Sequence, residues 1–428
     1  MSTATRGDPA VSFAYRLDPR PSECGSRNAD LAPPPDLVRR RIADHDTRPV
    51  PPLDADLDLH FRHRIRFGRG LRDAGLDAAL RELRGGGGFR ANLLPIVDAG
   101  LLDARPDFAD TLSSHLAALG DDAPAACAPL ILPGGEIAKN DPAILETILE
   151  RLDRERVCRR SVVLVVGGGA VLDVAGYAAA IFHRGVRLVR MPTTTLAQDD
   201  AAMGVKNGVN RLGKKNLLGT FAVPEAVVCD LDLLDSLSDR HWNSGFAEAV
   251  KIAVIRDREL FERIERDADA VRSRDRDAAE AVIRRSAELH WRHIVEGGDP
   301  FELGTSRPLD FGHWAAHRLE SMTEHRLTHG EAVSIGIVVD STVAVLEGRL
   351  DETSRDRIAS TLASLGLPTW DDAAHDHHEL LAGLEEFREH LGGPSGIALP
   401  TSIGASVDDA RPDVDVVRHA LERCATAS

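Results

Sequence analysis

The stretch Ser161-Val162-Val163-Leu164-Val165-Val166-Gly167-Gly168-Gly169-Ala170-Val171-Leu172-Asp173 decides the fold class. A nearly all-apolar strand runs into three glycines, and Val171 to Phe182 then continues at helical spacing. A strand apolar at both parities is covered on both faces, which is the condition of a buried parallel sheet. Working outward, Leu93 to Val97 is a second short apolar strand ending in Asp98. Ala128 to Leu132 is a third, closed by Pro133-Gly134-Gly135, and Val186 to Met191 a fourth. Helical patterns lie between them, over 108–118 and over 142–153, where Ile144, Leu145, Ile148 and Leu149 share a face. Alternation of this kind predicts an α/β domain with a Rossmann-like parallel sheet. After Leu233 the strand signals fade. Ser238 to Arg266, Arg274 to Val295 and Phe311 to Leu346 read as helices, so residues 56–235 are assigned to an α/β domain and 236–428 to a mainly α-helical one. Residues 1–55, rich in Pro, Asp and Arg, read as a disordered or extended segment. Ordered structure is expected from about Asp56, where Leu57, Leu59 and Phe61 alternate with polar residues.

Bulk properties narrow the function. A formal net charge of -16 lacks the clustered cation excess that nucleic-acid binding needs. Aromatic content is only 4%, which suits an α/β enzyme packed with Ala, Val and Leu. No run approaches the roughly 18 apolar residues of a membrane span, and no signal peptide is visible at the start. The five cysteines are widely spaced, as reduced thiols of a cytoplasmic protein would be.

Three groups of residues carry chemistry. Glycines 167 to 169 at a strand-to-helix turn let backbone N–H groups approach a pyrophosphate at a helix N-terminus, although the pattern is not GxGxxG. Asp98 and Thr193-Thr194 follow other strand ends, where open α/β sheets bind ligands. Second, His313 and His317 share a helix face at i and i+4, His329 precedes Gly330-Glu331, and Glu248 stands three residues before Lys251. Glu with two or three His suits a catalytic divalent metal, or chance among 17 His. Third, Pro192 to Gly219 gathers Gln198, Asp200, Lys206, Asn207, Asn210, Lys215 and Asn216 among small residues. That density suits an anionic, hydroxyl-bearing substrate, or simply a solvated loop.

Taken together, these segments resemble the 3-dehydroquinate synthase family, the sugar phosphate cyclases. The matching strings are Pro133-Gly134-Gly135-Glu136 with Lys139, the glycine turn through Asp173, and Phe182-His183-Arg184-Gly185. They continue through Pro192 to Gln198, Asp200 with Gly204 to Asn210, Lys215-Asn216, Ala247 to Lys251, Phe311-Gly312-His313 and His329-Gly330-Glu331-Ala332. The resemblance spans about residues 90 to 405. It implies an active site in the cleft between a Rossmann-like half and a helical half, in a homodimer. It implies zinc or cobalt on Glu248, His313 and His329. NAD⁺ would lie on Gly167, Gly168 and Gly169, with Asp98, Glu136, Lys139, Asp173, Thr193 and Thr194 around it. Substrate phosphate falls to Arg184 (reaching across a dimer), Lys206, Asn216 and His317, and substrate hydroxyls to Asp200, Lys215 and Lys251. The implied reaction is oxidation by NAD⁺, β-elimination of phosphate, return of the hydride and an intramolecular aldol closure.

One end of the site departs from the family. In 3-dehydroquinate synthase an Arg, four residues before the Asn of an Asn-Phe-Gly-His string, and an upstream Lys hold the substrate carboxylate. Here the string reads Asp310-Phe311-Gly312-His313, the Arg position falls on Ser306, and the Lys position falls near Trp291 or Arg292. Arg307 and Arg292 are out of register, and a C-terminal Lys expected within 387–391 is missing, with Arg388 or His390 as stand-ins. An Asp where a carboxylate must sit is repulsive. The expectation is therefore a ketose phosphate without that carboxylate, of the sedoheptulose 7-phosphate type, turned into a valiolone-type cyclitol. 3-Dehydroquinate synthase proper, a metal-dependent polyol dehydrogenase and a non-catalytic ligand-binding protein are the alternatives.

Overall fold

The computed structural model describes residues 60–84, 90–297, 299–302, 308–390 and 396–427, with backbone only at 388–390 and 427. Segment 1–55, Leu57, Leu59, Ser306, Arg307 and the side chains of Arg388 and His390 lie outside the described residues. Phe61 is in no strand; the first one is Ile65–Gly68. Everything below concerns Arg62–Ser428.

Strands β1 (Ile65–Gly68), β2 (Asn92–Asp98), β3 (Ala125–Ala126), β4 (Leu130–Leu132), β5 (Val162–Gly167) and β6 (Arg187–Pro192) are joined in one sheet by β9 (Ala226–Asp230). The order is β1-β9-β6-β5-β2-β3, with β4 also on β2, and every pairing is parallel. Side chains of β5 alternate between two cores: Val163 and Val165 pack into one, Val162, Leu164 and Val166 into the other. Burial on both faces is what the continuous apolar run predicts. From β2 the chain leaves toward β4, and from β5 it leaves the opposite way, toward β6. The crevice between the ends of β2 and β5 is therefore a topological switch point, where such sheets bind ligands. Asp98 ends one of these strands and Gly167 the other.

Between β6 and β9 the Lys/Asn-rich stretch is a β-hairpin, β7 (Lys206–Arg211) and β8 (Lys214–Phe221). Its polar residues are thus carried on paired strands rather than in a solvated loop. What shapes it is Arg190 on β6, only 1% exposed. Its guanidinium donates to the carbonyls of Ala202, Gly204 and Lys206 and to Asn207 Oδ1 at 2.7–3.2 Å. One buried cation thus satisfies four acceptors between the end of the π-type turn Ala197–Ala201 and the start of β7.

Beyond residue 238 the described chain is mainly helical, with a β-hairpin (Ile397–Ser402 and Ala405–Ala410) near its end. Ser238 to Arg266 is not one helix. Asp257 ends Asp239–Arg256 and its carboxylate caps Arg258–Arg272. The helices Arg276–Glu296, His313–Met322 and His329–Leu346 follow. His329–Leu346 is long and apolar enough to cross a membrane by length and composition, at mean hydropathy 1.3, yet 78% of that window is buried inside the fold. Glu331 and Asp340 interrupt its apolar run.

Two close backbone approaches bring this helix against the other elements of the site. A Cβ on Gly330 would lie 1.8 Å from Ser244 O, and one on Gly336 would lie 2.0 Å from Gly312 O. Only glycine permits either crossing. The Gly312 contact is braced by Asp340, whose carboxyl accepts from Gly312 N at 2.8 Å and Trp314 Nε1 at 2.7 Å. Burial pushes the Asp340 carboxyl up to about 7, against those two donors. A carboxyl raised on folding stabilises fully below its unfolded value and loses that contribution as pH rises through its folded value. Relative to D340N, the wild type is expected to lose stability between about pH 4 and pH 7 in urea unfolding. A flat or opposite difference contradicts this.

Candidate active site

At the switch point, Gly168 is the N-cap of the helix Gly169–Ile181 and makes no side-chain cap hydrogen bond to it. Asp98 is held by backbone: Oδ1 accepts from Gly100 N at 2.9 Å and Oδ2 from Gly168 N at 3.3 Å. It therefore fixes the glycine turn as well as capping its own helix, and burial raises its carboxyl above the ordinary value. Thr193 N donates to Gly167 O at 3.0 Å. Thr194 lies beside Gly168, where an added Cβ would meet its Cγ2 at 3.2 Å.

A polar network continues outward. Lys139 Nζ is 2.6 Å from Asp173 Oδ2 and also donates to Asn216 Oδ1. Glu136 accepts from Asn210 at 2.7 Å, while Asn210 Oδ1 accepts from Asn216 N at 2.8 Å. Burial would raise the Glu136 carboxyl, but the Lys215 and Lys139 ammoniums bring it below the ordinary value.

Facing this network, the ligating atoms of Glu248, His313 and His329 lie within 4.8 Å of one another. Nε2 of His329 and of His313 are 3.2 and 3.6 Å from Glu248 Oε1. Each ring is turned by its other nitrogen. His313 Nδ1 contacts Phe311 O at 3.2 Å, and His329 Nδ1 contacts Glu320 Oε2 at 3.1 Å. A capping box of Thr328 and Glu331 makes His329 the first residue of its helix. Glu248 is fully buried, and neither of its oxygens receives a well-formed hydrogen bond. Lys251 Nζ forms an ion pair with Oε2 at 2.6 Å. Burial would raise the Glu248 carboxyl, yet Lys251 and the imidazoles hold it well below the carboxylate range. A buried, underpaired carboxylate beside two Nε2 atoms oriented from behind fits a divalent metal of the zinc type.

The remaining predicted residues fall into three groups. His317 stacks on His329 and abuts His313, with ring centroids 5.9 and 5.4 Å away. Burial, Lys215 and His313 hold its ring well below the ordinary value, so it is neutral. Lys215 reaches Glu320 at 2.7 Å, and Lys251 is pushed up to about 12, against burial, by Glu248, Asp200 and Asp310. Asp200 Oδ1 is 2.7 Å from His290 Nε2. Lys206 and Arg184 stand apart: Lys206 is 57% exposed and paired with Glu302. Arg184 is exposed, at φ 64°, with no contact to the others.

Two residues escape a reading of the sequence. Glu320 joins Lys215 to His329, and its spacing gives it away in retrospect, because 313, 317 and 320 share one helix face. His290 carries no such signal. Replacing Glu320 by Gln is expected to weaken metal retention about 10-fold, since it removes the charged partner behind His329. Zinc titration against a chelator measures this, and unchanged affinity contradicts it.

A glycine turn at the switch point of a parallel sheet, opposite a Glu/His/His cluster set in helices, defines an enzyme of the nucleotide- and metal-using class. The models for the N-terminal and C-terminal parts of 3-dehydroquinate synthase match residues 129–244 and 245–386. A 2-epi-valiolone synthase of Actinosynnema mirum is 33% identical over 387 residues, 89% of this chain and 97% of that protein. A 3-dehydroquinate synthase of Synechococcus sp. is 36% identical over 278 residues, 64% and 75% of the two chains. The structure of ValA, a 2-epi-5-epi-valiolone synthase from Streptomyces hygroscopicus subsp. jinggangensis with NAD⁺ and Zn²⁺ bound, superposes with a TM-score of 0.79. It is 26% identical, covering 88% of this chain and all of that one. The chain belongs to the 3-dehydroquinate synthase family and is a sugar phosphate cyclase.

Proposed function

We propose that the protein is a cyclase for a C7 ketose phosphate lacking a carboxylate, of the sedoheptulose 7-phosphate type. It eliminates phosphate, as a carbon–oxygen lyase, and closes the carbon chain into a valiolone-type cyclitol. One observation carries this reading: Asp310 bears on the Lys251 ammonium inside the site, and among the described residues no Lys or Arg forms an ion pair with it. A substrate carboxylate at that end would meet a negative charge. The match to a 2-epi-valiolone synthase over nearly its whole length agrees; that to a 3-dehydroquinate synthase favours the alternative, but it spans less of both chains.

Glu248, His313 and His329 would hold Zn²⁺ or Co²⁺, and the glycine turn with Asp98, Glu136, Lys139, Asp173, Thr193 and Thr194 would hold NAD⁺. When bound, these two groups supply Lewis acidity and a reversible hydride acceptor. The chain's own residues do the rest. Lys251 and Asp200 orient substrate hydroxyls, and Lys215, fixed between Glu320 and Glu136, is a preorganised cation for developing negative charge. Asn216, Lys206 and the neutral His317 take the phosphate, the last as a hydrogen-bonding group. Arg184 completes that end from the second subunit of a homodimer, which its exposure permits. The division near residue 235 separates the NAD-binding from the metal-binding part, and the free thiols of Cys127, Cys158, Cys229 and Cys424 suit the cytoplasm.

With NAD⁺, Zn²⁺ and sedoheptulose 7-phosphate, the protein is expected to release phosphate while absorbance at the NADH band stays flat across many turnovers. Steady accumulation of NADH would instead mark a polyol dehydrogenase.

A further inference from the structure

We infer that Arg190 is a positioning residue for the substrate's phosphate, which it serves by fixing the hairpin of β7 and β8 against the helix that opens on the glycine turn. The inference rests on the roles proposed for Asp200, Lys206 and Asn216, which lie on either side of the backbone that Arg190 closes. All five carbonyls of residues 202–206 have a donor. Arg190 donates to those of Ala202, Gly204 and Lys206. His63 Nε2 lies 2.7 Å from Met203 O, which can only accept, so Nε2 carries the hydrogen. Ala222 N donates to Val205 O at 2.8 Å. The chain from Asp200 to β7 is thus held from outside, by β6 and by the segment before β1, and its length is fixed. Lys206 needs this, because its side chain is 57% exposed and takes its place from the backbone rather than from packing.

The same guanidinium donates to Asn207 Oδ1 at 2.7 Å, and there the hairpin meets the helix Gly169–Ile181. A Cβ on Gly176 would lie 1.8 Å from that oxygen, so the two elements touch only because residue 176 has no side chain. Gly169, Asp173 and Gly176 share one face of the helix. Asp173 pairs with Lys139, which donates to Asn216. The helix therefore reaches both strands, Asn207 on β7 directly and Asn216 on β8 through Lys139. Arg190 is 1% exposed, and among the described residues no carboxylate pairs with it. Its charge is met by carbonyl and amide oxygens, an arrangement that burial makes costly. Only the guanidinium fork offers enough donors, in fixed directions, to meet four acceptors on so short a stretch.

The test uses the zinc- and NAD⁺-loaded protein with R190M, R190K, K206M, the double variant R190M/K206M and the milder N207A, which removes one acceptor and serves if R190M does not fold. R190M is expected to raise KM for sedoheptulose 7-phosphate, and the inhibition constant of inorganic phosphate with it, about 10- to 100-fold. The change in kcat is smaller, and zinc and NAD⁺ affinities stay as in the wild type. R190K recovers little, because one ammonium cannot span the four acceptors. N207A shifts KM in the same direction by less. The double variant is no worse than K206M alone, because Arg190 acts through Lys206 and its strand. Hydrogen exchange gives a readout free of turnover: inorganic phosphate is expected to slow exchange of the amides of 206–221 in the wild type but not in R190M. Wild-type KM and phosphate inhibition in both R190M and N207A, full recovery in R190K, or equal protection by phosphate in the wild type and R190M would overturn the inference. If the wild type leaves sedoheptulose 7-phosphate untouched, the proposed substrate falls, while the exchange measurement with inorganic phosphate still decides the role of Arg190.

Discussion

Glu248→Gln is expected to abolish catalysis and metal retention together while the protein still folds. Gln keeps the shape of the side chain but removes the negative charge from a site whose other two proposed donors are imidazoles. The Lewis-acid contribution to such reactions is several kcal/mol, so kcat should fall by about 10³-fold or more. The same change strands the Lys251 ammonium, which is 2% exposed and 2.6 Å from Glu248 Oε2. Removing one partner of a buried pair costs about 3–5 kcal/mol, although Asp200 and Asp310 also bear on Lys251 and will soften the loss. His313→Ala separates the two effects: it removes a ligand but leaves the Glu248–Lys251 pair intact. It should lose zinc on dialysis with a smaller drop in unfolding free energy than E248Q. Retention of stoichiometric zinc by E248Q, measured by elemental analysis, contradicts the assignment.

Asp310→Asn is expected to change which substrate is preferred. On the proposed reading Asp310, whose charge bears on Lys251, lies where a carboxylated substrate would need an attractive group. Removing that charge eases a like-charge contact, and each 1.4 kcal/mol so removed is tenfold in affinity. The ratio of kcat/KM for the heptulosonate phosphate over that for sedoheptulose 7-phosphate should rise about 10- to 100-fold in D310N. Most of the change should come from better binding of the carboxylated substrate. An unchanged ratio means that Asp310 does not set the preference.

The sheet was legible in the sequence because its strands are apolar at both parities, and the helix 108–118 because its period is regular. The hairpin of β7 and β8 was not, because its residues are polar and its shape depends on Arg190, a residue distant in sequence that reads as a charged surface position. The break at Asp257 was also hidden: an Asp inside a helical pattern can be an exposed residue or a cap, and only its φ of -146° decides. Of the site, Glu248, His313 and His329 came from the strings shared with the family, and the structure brings their donor atoms together. Glu320 was not singled out, although it shares a helix face with His313 and His317. Nor was His290, since its contact with Asp200 depends on a π-type turn that periodicity does not encode.

The central claim is that the enzyme takes a sugar phosphate without a carboxylate. The most direct measurement incubates the purified protein with NAD⁺ and Zn²⁺ and either sedoheptulose 7-phosphate or the heptulosonate phosphate, following inorganic phosphate and the carbocycle by NMR. Catalytic phosphate release and a cyclitol from sedoheptulose 7-phosphate alone is the predicted result. Turnover of the heptulosonate phosphate alone would contradict the account and make the protein a 3-dehydroquinate synthase.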